Sequence, residues 1–552
     1  MQLRKKITLI TLIAATGISA ILFTSSSAGN DLFEISKNID IFTSVYKELN
    51  TYYVDDLDPN KLMRTGIDAM LESLDPYTNY ISEAELEGYK FQITGNYGGI
   101  GATIRPVNGK MNITDVFEGF PAADAGLKAG DILKEVDGFI VTTMQNGISE
   151  VMRGSAGSEV TITIYRPYED KEYTYTLKRA DVNTGNVPYS GMINEQIGYI
   201  ILTQFTENAG RNVEQAYKEL KAANPQLSGI VLDLRGNPGG LLREAVEVSN
   251  VFLDKGLEIV STKGRVKDWD KTFLSINPPT DTEIPLVVLT SRSSASASEI
   301  VAGVIQDYDR GVIIGQKTFG KGLVQTTRDV SYKTKLKLTT AKYYIPSGRC
   351  IQAIDYALRN EDGSVGKIPD SLKATFQTQA GRTVYDGGGI DPDIALEEDT
   401  YRDITYTLLS EDHIFNFATA WVAAHPNIGP ASAFTLDSSD YAEFAAYLAD
   451  KDVTYTTTTE EQLNELEESA KKDAYYDAVL EEVQHMRQRI EEDKVNDLYK
   501  FKDEIMYELV REITGRYYYF SGRVETSFRY DPEIQEAVRL LSNKDQYQKI
   551  LQ

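Results

Sequence analysis

The segment Gly229-Ile230-Val231-Leu232-Asp233-Leu234, followed by Arg235-Gly236-Asn237-Pro238-Gly239-Gly240, decides the fold of the largest part of this chain. Its apolar run has no alternation, which suits a strand buried on both faces, and Leu241, Leu242, Ala245, Val246, Val251 and Phe252 then fall at helical spacing. The plan repeats downstream. Leu286 to Thr290 reads as a second strand, a serine-rich turn follows, and Ile300, Val301, Val304, Ile305 and Tyr308 mark a helix. A third strand, Val312 to Gly315, precedes Phe319-Gly320-Lys321-Gly322. The stretch from Gly198 to about Ile354 therefore predicts an α/β core. Right-handed crossovers make its strands parallel, so the loops after them emerge at one carboxyl edge. Glycine amides, a serine cluster and one lysine meet there, an inventory for acyl transfer.

The turn Ser291-Arg292-Ser293-Ser294-Ala295-Ser296-Ala297-Ser298-Glu299 lies between strand and helix, where unpaired N–H groups at the helix start favour an anion. A serine there is well placed for attack. Ser296 and Glu299 equally satisfy S-x-x-E, so the non-catalytic alternative is a capping box worth about 1 kcal/mol. A serine nucleophile needs a base, and the three histidines, His413, His425 and His485, all lie far downstream. A lysine or a carboxylate must serve instead. Lys321, flanked by Phe319, Leu323 and Val324, is the attractive candidate, because desolvation disfavours an ammonium.

Residues 96 to 180 have another character. Gly98-Gly99-Ile100-Gly101 leads into Ala102-Thr103-Ile104, Ala125-Gly126-Leu127 precedes Gly130-Asp131-Ile132-Leu133, and Val136-Asp137-Gly138 marks a tight hairpin. Val160, Ile162 and Ile164 alternate with threonines as in a half-buried strand, and Gln145 to Arg153 reads as a short helix. This combination resembles a PDZ domain. The resemblance implies capture of a peptide C-terminus as an added strand, with amides of Gly98, Gly99 and Ile100 holding the carboxylate. Ile100, Ile148 and Val151 would line an apolar pocket for the last side chain. Arg153 would either reach the bound tail or the body of the α/β core, or act only as a solvated helix cap.

At 552 residues the chain has length for three to four domains of about 150 residues. Hydrophobic residues at 41% and charged ones at 25% disfavour wholesale disorder and a polytopic membrane protein. The net charge of −25 repels phosphates and argues against nucleic acid as a partner. Cys350 is alone, there is no CxxC pair, and no HExxH metal motif is present, so no metal or cofactor is called for. Arg4, Lys5 and Lys6 precede an apolar run over residues 7–23, and Ser26-Ser27-Ala28 follows in signal-peptidase spacing. The expectation is export to the periplasm or cell envelope, with a signal over residues 1–28; an uncleaved inner-membrane anchor at 7–23 is the alternative. Two amphipathic helices between Ile35 and Leu74 are broken at Asp58-Pro59-Asn60. From Glu460 to Gly515 apolar residues fall at helical spacing, predicting a long helix or helical hairpin in a C-terminal extension that is structural or serves a homo-oligomer, as the N-terminal helices could.

Ser-Ala-Ser-Ala-Ser-Glu, followed by Phe-Gly-Lys-Gly-x-x-Gln, behind a PDZ segment and Asp-Leu-Arg-x-Asn-x-Gly-Gly, resembles the carboxyl-terminal processing (tail-specific) proteases over roughly residues 35–398. The resemblance implies a serine peptidase whose nucleophile is Ser296, whose base is Lys321 and whose lysine-orienting residue is Gln325. It places the oxyanion hole at the Ala297 amide and one amide of Gly239 or Gly240. The expected architecture is a multidomain α/β protein: an N-terminal helical region (29–92), a mixed-β PDZ domain (93–180), an α/β serine protease core (181–398) and a helical extension (399–552). The expected partners are protein or peptide substrates with free C-termini. The competing functional class is a catalytically silent PDZ scaffold that tethers envelope proteins. A carboxylate acid/base enzyme would need paired acids in the loops, and Glu299 is better used as a cap.

Overall fold

Six strands build the central sheet, in the order Tyr189–Met192, Ile197–Ile201, Gly229–Asp233, Leu286–Thr290, Val312–Gly315 and Ile394–Ala395. The computed structural model describes residues 32–143, 147–183, 185–359, 365–397 and 400–552. The first pair of the sheet is antiparallel and every later pair is parallel, as the crossover argument requires. All five residues of Gly229–Asp233 are buried. Ile230 and Leu232 face one apolar layer, formed with helices Ala209–Ala223, Leu242–Phe252 and Ala297–Asp307. Val231 faces the other.

That second layer comes from the end of the chain. Val524, Phe528, Ile534, Ala537, Leu540, Leu541 and Tyr547 pack against Tyr199, Val231, Val287, Leu289 and Ile314. The Tyr547 hydroxyl donates to the Leu286 carbonyl and also lies 2.9 Å from the Leu286 N–H. The final helices, Pro532–Leu541 and Lys544–Ile550, thus close one face of the sheet and are as integral to it as the crossover helices. The rest of the extension holds its own core around Leu408, Phe417, Trp421, Phe444, Leu509 and Ile513. Thr458–Lys472 and Tyr476–Lys494 are consecutive helices separated by a short turn. Helix Lys502–Tyr530 is kinked at Tyr518 and Tyr519, the latter at φ 54°.

The PDZ region forms an antiparallel sheet in the order Ala102–Val107, Lys110–Val116, Ile132–Val136, Glu159–Arg166, Lys171–Lys178. The expected hairpin is present, with Asp137 and Gly138 both at positive φ (48° and 83°). Val160, Ile162 and Ile164 are fully buried, whereas the hydroxyls of Thr161 and Thr163 face those of Thr176 and Thr174 on the open side. The short helix spans Ile148–Met152; its expected start at Gln145 lies outside the described residues.

Residues 32–81, with Thr327–Leu338, form a separate compact unit. It contains a helix over 32–52 and helix Pro59–Glu72, whose N-cap Asp58 accepts from the amides of Asn60 and Lys61. Strand Asn79–Ile81 pairs antiparallel with residues 335–337. The proposed export segment, including residues 7–23, lies outside the described residues. Among those described, no helix is long and apolar enough to cross a membrane.

Candidate active site

Three loops meet at the carboxyl edge of the parallel strands: 235–240, 291–296 and 316–322. Ser296 opens helix Ala297–Asp307 with φ 56° and ψ −110°, a conformation costly for a residue with a side chain. Such a turn lifts the residue out of line with both strand and helix. Ser296 is half-buried, while Ser294 and Ser298 are fully buried and donate their hydroxyls to the carbonyls of Leu234 (2.8 Å) and Asn237 (2.9 Å). Of these three serines, two therefore hold the turn and Ser296 keeps partial exposure.

Glu299 does cap Ser296, accepting its N–H at 2.7 Å, but its carboxylate does more than the capping box requires. The same oxygen, Oε2, accepts the Lys321 N–H at 2.8 Å; Oε1 accepts the Gly320 N–H at 2.7 Å and the Thr318 hydroxyl at 2.6 Å. Burial pushes the Glu299 carboxyl above its ordinary value, and these four donors oppose that shift by favouring the charged form. Tyr343, 1% exposed, adds a second tie: its hydroxyl oxygen is 3.1 Å from the Ser296 carbonyl oxygen and 2.5 Å from that of Lys321. Main chains that are remote in sequence are thus held together from both sides. Glu299 was readable only as a cap, and Tyr343 gave no sequence signal.

Lys321 is half-buried; of its apolar flank, Leu323 is buried and Phe319 is half-exposed. The loop that carries it is fixed by the Gly320 carbonyl, which accepts from Ala353, and by Gly322, which donates to Gln352 at 2.7 Å. The Gln325 amide nitrogen lies 3.3 Å from both the Leu323 carbonyl and the Thr339 hydroxyl.

The glycine loop packs directly on the serine turn. A Cβ on Gly239 would lie 2.6 Å from the Ala295 carbonyl and 2.9 Å from the Ser296 Cβ, and φ there is 98°. Gly239 donates its own N–H to the Asn237 side chain at 2.9 Å. The Gly240 N–H has no acceptor among the described residues, and the Ala297 N–H starts a helix, where no intrahelical acceptor exists. Asn237 locks this arrangement: it is fully buried, donates to the Leu202 carbonyl, and accepts from Ala295 and Ser298. Of the glycine pair left open by sequence, Gly240 is the one with a free amide. None of the histidines is in these loops; His425, for example, stacks on Trp421 in the extension.

The PDZ residues read from the sequence fall into different surroundings. Strand Asn96–Gly99 pairs with Ala180–Asn183, so Gly98 and Gly99 lie opposite Asp181 and Ala180 in a ladder, and the Gly98 carbonyl accepts from Gly154. The amides without an acceptor among the described residues are those of Ile100 and Gly101, just before the edge strand Ala102–Val107. Ile100 and Ile148 are 3% and 2% exposed and belong to the domain core, so they do not form an open pocket wall; Val151 packs against that core. Arg153 is the exposed C-cap of helix Ile148–Met152, its N–H donating to the Ser149 carbonyl, and its side chain has a further contact. Its guanidinium lies over the rings of Phe91 and Tyr97, at 5.9 and 5.4 Å, in the segment that leads into the domain.

Three family models match the chain: a PDZ domain over 98–178, peptidase family S41 over 196–358, and the C-terminal helical domain of probable PDZ-proteases over 404–541. A carboxy-terminal-processing protease of Bartonella bacilliformis is 38% identical over 341 residues, which are 61% of this chain and 77% of that protein. A probable CtpA-like serine protease of Staphylococcus aureus is 34% identical over 317 residues, covering 57% of this chain and 62% of the relative's length. The solved photosystem II D1 C-terminal processing protease aligns with 26% identity and a TM-score of 0.34, over 64% of this chain and 92% of that one.

Proposed function

Because the chain belongs to the carboxyl-terminal processing proteases, serine peptidases of family S41 that carry a PDZ domain, we propose that it cleaves through a Ser296/Lys321 dyad and an acyl-enzyme. The observation that supports this best is the shared carboxylate oxygen of Glu299, which holds the main chains of both residues at once. In this reading the neutral amine of Lys321 takes the proton of the Ser296 hydroxyl as Oγ attacks the scissile carbonyl. The tetrahedral oxyanion is received by the N–H groups of Gly240 and Ala297, a contribution of about 3–4 kcal/mol per donor in comparable sites. As the intermediate collapses, the C–N bond breaks, Lys321 returns its proton to the leaving amine, and the substrate acyl group remains as an ester on Ser296. Water then attacks the ester with Lys321 again as base, releasing the carboxylate product and restoring the hydroxyl. Gln325 holds the lysine side chain.

Substrates reach this centre by their tails. The edge strand Ala102–Val107 is free to pair with an extended peptide, and the amides of Ile100 and Gly101 are available to its carboxylate. The basic N-terminus and apolar run at 7–23 fit export to the envelope. Leu32, Phe33 and Ile39 on the first helix are 69%, 66% and 59% exposed, which suits burial against a second copy of the chain.

The test is incubation of an unstructured protein with the purified enzyme and with Ser296→Ala, together with mass spectrometry of acid-quenched enzyme. Wild type cleaves and carries an acyl mass on the peptide containing Ser296; Ser296→Ala does neither. Cleavage by Ser296→Ala would overturn the assignment.

A further inference from the structure

Arg235 stands at the foot of the glycine loop, four residues before Gly239. Its guanidinium is held by three carboxylates. Asp233, at the end of the same strand, takes Nε and one terminal nitrogen (2.6 Å) and is itself fixed by the Tyr199 hydroxyl at 2.5 Å. The other terminal nitrogen donates to Asp531 and Glu533, each at 2.7 Å. These two residues begin the helix Pro532–Leu541, in the C-terminal extension.

Glu533 has a second partner. Its other oxygen accepts from the side chain of Gln316, the residue that follows the strand Val312–Gly315 and starts the loop to Lys321. A single carboxylate thus touches the foot of the glycine loop and the foot of the lysine loop. The fit is close, since a Cβ on Gly315 would lie 3.2 Å from that same Glu533 oxygen. Asp531 is also the helix N-cap, accepting from the amides of Glu533 (3.0 Å) and Ile534 (3.1 Å). Its charge is therefore held at the positive end of a helix dipole.

Just upstream, Arg523 on the kinked helix reaches Asp115 on the PDZ strand Lys110–Val116 at 2.5 Å. Arg105 of the neighbouring PDZ strand pairs with Asp412 of the extension at 2.6 Å. Successive helices of the extension accordingly contact both the PDZ domain and the feet of the two loops.

We propose that Asp531 and Glu533 of the C-terminal helical domain are positioning residues of the peptidase reaction, setting the glycine loop through Arg235 and the lysine loop through Gln316. The extension is then part of the catalytic machinery as well as of the sheet's packing. The proposal rests on the loop roles given above, and its test separates the two.

The test uses the full-length enzyme with Asp531→Asn, Glu533→Gln and the double variant. Asparagine caps a helix as well as aspartate does, so Asp531→Asn removes the charge facing Arg235 and keeps the helix start. Glu533→Gln keeps the size of the side chain. Steady-state kinetics on an unstructured fluorogenic peptide, labelling rate by a fluorophosphonate, and thermal melting are measured in parallel. Misplacement of reacting groups by about 1 Å costs about 100-fold in rate. The double variant should lose kcat on that order, with labelling slowed in step and KM within about twofold. Each single variant should lose less. Glu533→Asp, which restores the charge, should recover part of the loss.

Glu536→Gln, which removes the charged partner of Arg539 on the same helix, should leave kcat unchanged. A lowered melting temperature with unchanged kcat in the folded fraction would reduce the two acids to packing and overturn the proposal, as would a rise in KM alone. Asp531→Asn by itself decides the matter if the double variant does not fold. Ser296→Ala is run alongside: its activity would refute the nucleophile, whereas wild-type kcat in the acid variants refutes positioning.

Discussion

Replacing Glu299 in two ways separates its tie between the catalytic loops from its contribution to stability. All four of its partners are donors, two on each oxygen. In Glu299→Gln the amide oxygen can replace Oε2 and keep the N–H groups of Ser296 and Lys321, which leaves the new NH2 facing Gly320 and Thr318. The Thr318 hydroxyl can turn to accept, but the Gly320 N–H cannot, so one buried donor is orphaned at about 1–3 kcal/mol. The surviving bonds also fall from charge-assisted to neutral, roughly halving their strength. A destabilisation of about 3 kcal/mol corresponds to about 10 °C in the melting temperature of a core this size.

Glu299→Ala instead removes the carboxylate shared by Ser296 and Lys321 and orphans all four donors around a fully buried void. With only the Tyr343 tie left between the two main chains, kcat should fall by about 100-fold, against about tenfold in Glu299→Gln. The assay is kcat and KM on an unstructured peptide at a temperature where circular dichroism shows each variant folded. If Glu299→Ala stays within tenfold of wild type, or equals Glu299→Gln, the shared oxygen does not set the geometry and the account of the site is wrong.

Three further outcomes are expected. Gly239→Ala should abolish hydrolysis without loss of peptide binding, because its Cβ would press on the Ala295 carbonyl and the Ser296 Cβ; measurable turnover would show that the glycine loop can retreat. Burial opposes the charge of Glu460, but the Thr457 N–H and hydroxyl and the Lys494 ammonium outweigh it and hold its pKa at about 2. A depressed acid stabilises the fold above its unfolded value near 4.3 and loses that contribution as pH falls through about 2, so Lys494→Met should move the acid loss of helical signal to higher pH. A substrate peptide with an amidated C-terminus should be cut more slowly than its free acid, because it lacks the charge that the Ile100 and Gly101 amides would receive; equal rates would deny the PDZ domain a role in selecting tails.

What the sequence disclosed and what it hid divide along physical lines. The alternation of Val160, Ile162 and Ile164, the uniform burial of Gly229–Asp233 and the convergence of three loops follow from periodicity and crossover handedness, which are local properties. The glycine loop, the serine turn and the lysine were legible for the same reason, since each is a short run at a strand end. The groups that hold them in register were not. Asn237, Tyr343 and Glu299 act across loops, and nothing in a single residue type announces a partner tens of positions away. The PDZ pocket was misread because Ile100 and Ile148 are apolar residues in both a groove wall and a core, and only packing distinguishes the two. The extension was the deepest omission. Its helical period reports a buried stripe without saying what buries it, and here the stripe is divided between its own core and the second face of the catalytic sheet. A parallel sheet needs cover on both faces. The crossover helices of this core supply one layer, so the other had to come from elsewhere in the chain, and the helix that supplies it begins with the two acids that grip Arg235. Burial of the sheet and placement of its carboxyl edge are accordingly one structural event: a chain that lost this helix would uncover part of the face that holds Val231 and Leu289 and leave Arg235 with Asp233 alone.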